Sequence, residues 1–261
     1  MSTFSLAVRD SSTMLRRNLL HARRYPSMTL NLLLTPVMLL LLFVYIFGDT
    51  MSAGIGGTDR SDYIAYIVPG ILLMTIGSTV VGTAVSVSND MTEGIIARFR
   101  TMAIHRGSVL VGHVIGSVLQ SVMSVILVGA VGVAIGFRSV DATVLEWLAA
   151  FGLLVLFALA LTWIAVGMGL ISPNAEAAGN NAMPLILLPL LSSAFTPVES
   201  MPGWFQPVAE YQPFTPAIET LRGLLLGTEI GNNGWLAIAW CLALTVLGYF
   251  WSTAKFNNDP K

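Results

Sequence analysis

Long apolar stretches separated by short polar segments dominate this chain. Six stretches of 19 to 30 residues contain no Lys, Arg, Asp or Glu. They are residues 28–47, 64–87, 108–137, 147–171, 177–195 and 235–254. A helix needs about 20 apolar residues to cross the hydrocarbon core of a bilayer. The two-residue alternation typical of a membrane β-barrel is absent. The pattern therefore predicts an all-α integral membrane protein with six transmembrane helices in a single transmembrane domain, residues 1–261.

Composition excludes several classes of protein. Of the 261 residues, 55% are hydrophobic and 10% are charged, whereas a soluble domain has about 25% charged residues. The formal net charge of -1 argues against a nucleic-acid partner. A single cysteine, Cys241, excludes a disulfide framework and a cysteine-based metal site. We expect neither a metal nor a cofactor in this chain.

The distribution of Lys and Arg predicts the orientation. With the N-terminus in the cytoplasm, the inner segments hold ten of the 13 basic residues. The outer segments hold Arg60, Arg138 and Arg222. This excess places both termini in the cytoplasm. A cleaved signal peptide is disfavoured because the basic region runs to Arg24 and the following apolar run is too long.

Residues 3–25 have the pattern of an amphipathic helix that lies in the headgroup plane. Phe4, Val8, Leu15 and Leu19 fall on one side, and five arginines fall on another sector. Pro26 then breaks this helix before the first span. The arginines also serve to fix topology.

Residues 90–106, between the second and third stretches, form an amphipathic pattern on the cytoplasmic side. Acidic residues stand at its front and basic residues at its end, which matches the helix dipole. Ile95, Phe99 and Met102 recur at helical spacing. Two interpretations remain open: a surface helix resting on headgroups, or a rigid helix that docks a cytoplasmic partner.

Residues 199–232, on the outer side, are rich in proline and aromatic residues. Trp and Tyr favour the membrane interface, and the prolines divide the segment into helices too short to cross. We expect two re-entrant half-helices in the outer leaflet, packed against protein. A plain folded outer loop is the alternative.

Chemistry that would drive transport is missing from the six stretches. None contains the acidic or basic residue that ion-driven carriers place within their spans. His113 is more typical of a packed histidine than of a proton relay. The phosphate-binding pattern Gly-x-x-x-x-Gly-Lys does not occur. Energy for uphill transport would therefore have to enter from another polypeptide.

Small and weakly polar residues recur along the spans, where they allow close helix packing. Gln120 is the best candidate for a residue facing a pathway, because a buried amide needs partners. The full set of pathway candidates is Thr79, Thr83, Gln120, Asn181, Ser192, Ser193 and Phe195.

Three segments resemble the membrane subunits of type-2 ATP-binding-cassette exporters, in particular the daunorubicin-resistance permease group. The first, EGIIARFRTM from Glu93 to Met102, is similar to the coupling-helix region of that family, Gly-x-x-x-Arg-Phe-Arg. The second is SPNAEAAG, residues 172–179. The third and most specific segment runs from Leu191 through QPFTP to Leu224. His113 departs from the family, where an arginine or lysine is expected.

The resemblance implies a transport subunit that is not itself an enzyme. A homodimer of this chain would lie in a bacterial inner membrane above two cytoplasmic ATPase subunits, which would bind ATP and magnesium. The cargo would be an amphipathic small molecule such as a drug, an antibiotic or a lipid-like metabolite. The competing hypotheses are an ion-coupled secondary carrier or channel, and a membrane-bound enzyme.

The resemblance also implies roles for particular residues. The ATPase-coupling residues would be Asp90, Glu93, Gly94, Arg98, Phe99, Arg100 and Met102. The second and fifth spans would line the pathway at the subunit interface. The outer gate would contain Pro202, Trp204, Phe205, Pro213 and Phe214.

Overall fold

The computed structural model describes residues 26–55, 57, 59–92, 106–139 and 141–258, and every regular element in these ranges is helical. In chain order the elements are α1 (Pro26–Leu42), a π-helical turn (Phe43–Phe47), α2 (Gly48–Gly54), α3 (Arg60–Thr92), α4 (Arg106–Ala134), α5 (Val144–Ile171), α6 (Ala175–Ala182), α7 (Pro184–Leu187), two 3-10 turns (Leu188–Leu191 and Val198–Ser200), α8 (Gln206–Tyr211), α9 (Phe214–Leu226) and α10 (Asn233–Asn258). The predicted interfacial helix, residues 3–25, and most of the predicted coupling region lie outside the described residues.

Five helices in the described ranges are long and apolar enough to cross a membrane. They are α1 continued through α2, then α3, α4, α5 and α10. The predicted stretches 28–47, 64–87, 147–171 and 235–254 lie within these helices, and α4 covers 108–137 up to Ala134. The chain is therefore a multi-pass, all-helical membrane protein over the part that the structure describes.

The remaining predicted stretch, residues 177–195, is not one long helix. It consists of α6, α7 and a 3-10 turn, followed by an irregular turn. Pro184 and Pro189 interrupt the backbone hydrogen bonding because neither has an N–H group. At about 1.5 Å per α-helical residue and about 2.0 Å per 3-10 residue, residues 175–191 extend about 28 Å, which is close to the roughly 30 Å of a hydrocarbon core, so the interrupted segment is still long enough to cross. We call residues 175–191 the broken segment.

Helix α3 lies at the centre of the chain. Residues 71–80 are all buried, and α3 packs against α1, α4, α5, α9 and the broken segment. By contrast, α10 packs mainly on α5 and exposes large apolar side chains such as Leu247 and Phe250. An exposed apolar face on a helix of this length suits contact with lipid.

Local signals in the sequence set several helix ends. Thr143 and Glu146 form a capping box at the start of α5. The Asn174 side chain accepts a 2.8 Å hydrogen bond from the Ala177 N–H at the start of α6. Gly227, with φ of +67°, ends α9 in the left-handed conformation that glycine adopts without strain.

The outer connection contains two helices of unequal length. Helix α8 has 6 residues and packs on α9. Helix α9 has 13 residues and packs against α3, α5 and α10. The longer helix therefore belongs to the protein core, and it positions the charged cluster described below.

Candidate functional site

The broken segment and the turn after it each lie directly against α3 at a glycine. A Cβ atom on Gly70 would lie 2.7 Å from Ala194 Cβ, and one on Gly77 would overlap the Leu185 carbonyl oxygen. Pro189, four residues after Leu185, has no N–H to donate to that carbonyl. The two glycines thus allow an irregular backbone to approach a regular helix closely.

The turn after the broken segment is anchored through the backbone of Ser193. Its N–H donates to Thr215 Oγ1 of α9 at 3.2 Å. Its carbonyl accepts from the Tyr66 hydroxyl of α3 and from Arg222 Nη2 of α9, each at 3.0 Å. Two helices therefore fix the position where the broken segment ends.

Arg222 forms the centre of this outer cluster. Its Nε and Nη2 donate to the Tyr66 carbonyl at 3.3 and 3.1 Å, and its Nη1 donates to Glu219 Oε1 at 2.6 Å. Its Cζ lies 3.7 Å from the Tyr66 ring centroid, in cation–π contact. The Arg222 and Glu219 side chains are 11% and 31% exposed. The cluster is therefore a poorly solvated charged junction between α3, α9 and the end of the broken segment.

The predicted outer-gate residues occupy different environments. Trp204 is 81% exposed, and its ring meets that of Phe205 edge to face at 5.5 Å. Phe214 is fully buried and meets Phe157 of α5 edge to face at 5.0 Å. Pro202 is exposed, and Pro213 is half-buried immediately before α9. Of these residues, Trp204 and Pro202 are the ones that the single chain leaves open to its surroundings.

A second contact between ionisable side chains lies at the opposite end of α3, which the charge distribution predicts to face the cytoplasm. His113 Nε2 of α4 lies 3.0 Å from Asp90 Oδ2 of α3, and their side chains are 6% and 9% exposed. Asp90 belongs to the last turns of α3, so it continues the second span instead of starting a separate helix. The other six predicted coupling residues, Glu93, Gly94, Arg98, Phe99, Arg100 and Met102, lie outside the described residues.

Hydroxyl groups connect three helices about one helical turn deeper than this pair. Thr83 Oγ1 of α3 donates to Ser117 Oγ of α4 at 2.6 Å. Ser117 Oγ lies 3.2 Å from Thr162 Oγ1 of α5, which in turn donates to the Ala158 carbonyl at 2.7 Å. Thr83 therefore lies inside the subunit and joins helices together.

The other pathway candidates have mainly structural contacts in the single chain. Thr79 is buried and bonds to the Thr75 carbonyl. Ser192 caps a turn through the Pro189 carbonyl at 2.5 Å. The Phe195 ring lies 4.6 Å from that of Phe43. Two candidates have a side chain that is not buried: Gln120 is half-buried, and Asn181 is exposed and donates to Ser172 Oγ at 2.9 Å.

Sequence reasoning did not assign a role to Arg222 or Tyr66, and it did not pair Asp90 with His113. One signal was present for Arg222, because it is one of three outer basic residues in an otherwise acidic connection. No sequence signal linked residues 90 and 113, since the partner of a buried charge depends on helix packing. Among the described residues, no three His, Cys, Asp or Glu side chains converge to hold a metal ion.

The model of the ABC-2 type transporter family matches residues 10–226. The chain therefore belongs to the ABC-2 type transporter family and is a membrane component of transport. The match includes α3, the broken segment and most of the outer connection, and it agrees with the resemblance found in the sequence.

Individual relatives agree with this assignment. The chain is 29% identical, over 85% of its length and 77% of the relative, to the daunorubicin resistance ABC transporter permease protein DrrB1 of Streptomyces coeruleorubidus. It is 22% identical, over 69% of its length and 65% of the relative, to a probable doxorubicin resistance ABC transporter permease protein, DrrC, of Mycobacterium tuberculosis. It is 24% identical, over 82% of both chains, to nodulation protein J of Rhizobium meliloti.

Proposed function

We propose that this chain is the permease subunit of an ATP-driven exporter that moves an amphipathic small molecule out of a bacterial cell. Two copies would pair in the inner membrane, with both termini in the cytoplasm, above two separately encoded ATPase subunits. ATP and magnesium would bind to those ATPase subunits. The observation that carries the proposal is the family match over residues 10–226, which includes the coupling region and both helical elements assigned to the pathway.

We assign the broken segment to the face that meets a second copy, as the family resemblance implies for the fifth predicted span. Its inner side packs on α3, whereas Met183, Leu187, Leu190 and Leu191 are 43 to 51% exposed. Helix α3 is buried along its middle, partly by the broken segment. The side chains of α3 would therefore line the pathway only where the broken segment moves away from them. This refines the expectation that the second and fifth spans line the pathway at the subunit interface.

The outer cluster around Arg222 suits an outer gate. It holds the end of the broken segment against α3 and α9 by directed hydrogen bonds. These bonds would stabilise one state of the gate. A gate needs at least two discrete arrangements, and the bonds would break in the second one. The outer half-helices, residues 199–232, would move with it, and the exposed Trp204 would meet the outer membrane interface.

The proposed cargo class follows from the named relatives and from the lining. Two relatives are named for resistance to daunorubicin and doxorubicin, which are amphipathic. The exposed side of the broken segment is apolar, with Asn180 and Asn181 at its cytoplasmic end. Apolar surface with a few polar groups suits amphipathic ligands. Daunorubicin is accordingly the first probe to test.

Reconstitution tests the proposal. The chain is purified from its native host with any ATPase that co-purifies, and the complex is placed in liposomes with daunorubicin. We expect transport that requires ATP, stops with vanadate and survives collapse of the proton gradient. Liposomes containing the chain alone are the control and should transport nothing. Concentrative uptake by the chain alone, or loss of transport on gradient collapse with ATP intact, would favour the ion-coupled carrier.

The coupling role of residues 93–102 has its own test. We expect Phe99→Ala and Gly94→Pro to leave membrane insertion intact and to separate ATP hydrolysis from transport. Phe250→Ala is the matched control, because Phe250 is 64% exposed on α10, far along the chain from the coupling region. Unchanged coupling in both coupling-region variants would exclude this docking role.

A further inference from the structure

The Asp90–His113 contact lies where the connection between α3 and α4 begins and ends. Helix α3 ends at Thr92 and α4 begins at Arg106. Asp90 is two residues before the end of α3, and His113 lies in the second turn of α4. Their side chains meet at 3.0 Å. The contact therefore joins the last turns of α3 to the first turns of α4, the two helices that residues 93–105 connect in the sequence.

The surroundings of this contact are apolar. A small core cluster contains residues that neighbour the pair on both helices, together with residues of α5 and α10. Its buried members are Val87, Leu110, Val114, Trp163, Val166, Leu170 and Phe256. In such an environment a hydrogen bond between two ionisable groups is stronger than in water. Removal of either side chain breaks the direct contact between α3 and α4 at this level.

The join extends to a third helix. Ser117, four residues after His113 and on the same face of α4, accepts from Thr83 of α3 and contacts Thr162 of α5. Helices α3 and α4 are thus tied by polar contacts at two successive levels, and α5 joins them at the deeper level. The level nearer the cytoplasm contains the ionisable pair, and the deeper level contains hydroxyl groups.

We propose that Asp90 and His113 form a clasp that makes α3 and α4 move as one unit when an ATPase acts on residues 93–105. This inference rests on the proposed function and deepens it. With the clasp closed, a displacement of the connection reaches α3, and through α3 it reaches the broken segment. With the clasp open, Thr83 and Ser117 still join the two helices deeper in the protein, but the ends of α3 and α4 nearest the connection can separate, so ATP hydrolysis moves the pathway less efficiently. His113 and Asp90 are positioning residues, since neither needs to touch cargo or nucleotide.

The test measures daunorubicin transported per ATP hydrolysed by the reconstituted complex. We expect His113→Ala and Asp90→Ala to lower this ratio about tenfold, within the usual range of coupling between sites, while hydrolysis stays within about twofold of wild type. His113→Lys supplies an N–H donor opposite Asp90 and should retain the wild-type ratio. The exchange of both residues, Asp90→His with His113→Asp, should restore at least half of it.

Ser88→Ala is the matched control for this test. Ser88 is fully buried two residues before Asp90, and its hydroxyl has no hydrogen-bond partner among the described residues. We expect Ser88→Ala to leave the ratio unchanged. A purely structural role for the pair would lower the thermal unfolding midpoint, transport and hydrolysis together, and it would leave the ratio intact.

The outcomes separate this inference from the proposed function. If wild-type complex transports nothing, the proposed function fails, whereas the clasp fails only against a working wild type. An unchanged ratio in both alanine variants, or an equal loss in Ser88→Ala, would overturn the clasp. If the alanine variants do not assemble, Asp90→Leu and His113→Phe take their place, because they keep most of the side-chain volume and cannot form the hydrogen bond. A lowered ratio in those variants supports the clasp, and an unchanged ratio overturns it.

Discussion

Arg222 Nη2 of α9 donates a 3.0 Å hydrogen bond to the carbonyl of Ser193, at the position where the broken segment changes into a turn. The same carbonyl accepts from the Tyr66 hydroxyl, whose ring lies under the Arg222 guanidinium. One charged side chain on the outer connection therefore fixes both α3 and the end of the broken segment. This junction gives the end of the broken segment one defined arrangement against α3 and α9.

Loss of the Arg222 charge should destabilise the protein. Arg222→Gln removes the donors to the Tyr66 and Ser193 carbonyls and leaves Glu219 without its cation. Hydrogen bonds to charged groups contribute about 1.5–3 kcal/mol, and Glu219 is 31% exposed, so we expect a loss of about 2 kcal/mol. The thermal unfolding midpoint in detergent should fall by about 4–8 °C.

Arg138→Gln is the matched control for Arg222→Gln. Arg138 is an exposed outer arginine that donates to the nearby carbonyls of Val133 and Phe137. Its replacement should change the midpoint by less than about 1 °C, since exposed contacts contribute little. Arg222→Lys should fall between the two, because lysine keeps the charge and loses the planar fork. Equal midpoints for Arg222→Gln and wild type would contradict the importance of the junction.

A methyl group at Gly77 should disrupt the packing of the broken segment on α3. In Gly77→Ala the new Cβ would overlap the Leu185 carbonyl oxygen, a backbone atom that cannot rotate away. Overpacking costs about 1–3 kcal/mol, so we expect a lower unfolding midpoint and loss of transport. Gly152→Ala is the control, because no atom lies within 4 Å of a Cβ there. If both alanine variants behave alike, the close approach at Gly77 is not functionally important.

The hydroxyl chain predicts a difference between two serines of α4. Ser117 contacts both Thr83 and Thr162, whereas the buried Ser121 hydroxyl has no hydrogen-bond partner among the described residues. Ser117→Ala should cost about 1 kcal/mol, as interhelical hydrogen bonds in membranes do. Ser121→Ala should cost nothing or stabilise slightly. Unfolding in a graded detergent–SDS series measures both, and a larger cost at Ser121 would refute the assignment.

Topology is testable by labelling exposed positions with a membrane-impermeant maleimide. Cysteines at Ser61 and Glu199 should react from outside intact cells, and one at Glu176 should react only after permeabilisation. All three residues are exposed, and Cys241 is buried. The charge distribution predicts this pattern. Reaction of the Glu176 position in intact cells would invert the proposed orientation.

The sequence predicted the long helices well, because each carries its own signal. A run of 20 or more apolar residues suffices to indicate α3, α5 and α10, whatever they pack against. The broken segment was predicted as a full span because its composition is equally apolar. Its prolines, Pro184 and Pro189, were visible in the sequence, yet composition alone does not show how a neighbouring helix accommodates the interruption.

The candidate sites were predicted unevenly for a related reason. Asp90 and Ser193 were selected from the sequence, but their partners were not. Thr83 was selected for its polarity and turned out to join α3 to α4. Whether a polar residue faces a pathway or a neighbouring helix depends on how each helix is rotated and on the register between the two. The hydropathy of an apolar span gives neither the rotation nor the register.

By itself, the sequence determined the class of this protein, its helical spans and its expected orientation, because hydropathy and charge act on each segment independently of the others. Tertiary structure alone decided that Arg222 meets Ser193, that His113 meets Asp90 and that Gly77 admits the Leu185 carbonyl. These pairs are brought together by helix packing, where the close fit of side chains and backbone selects one arrangement among many of equal hydropathy.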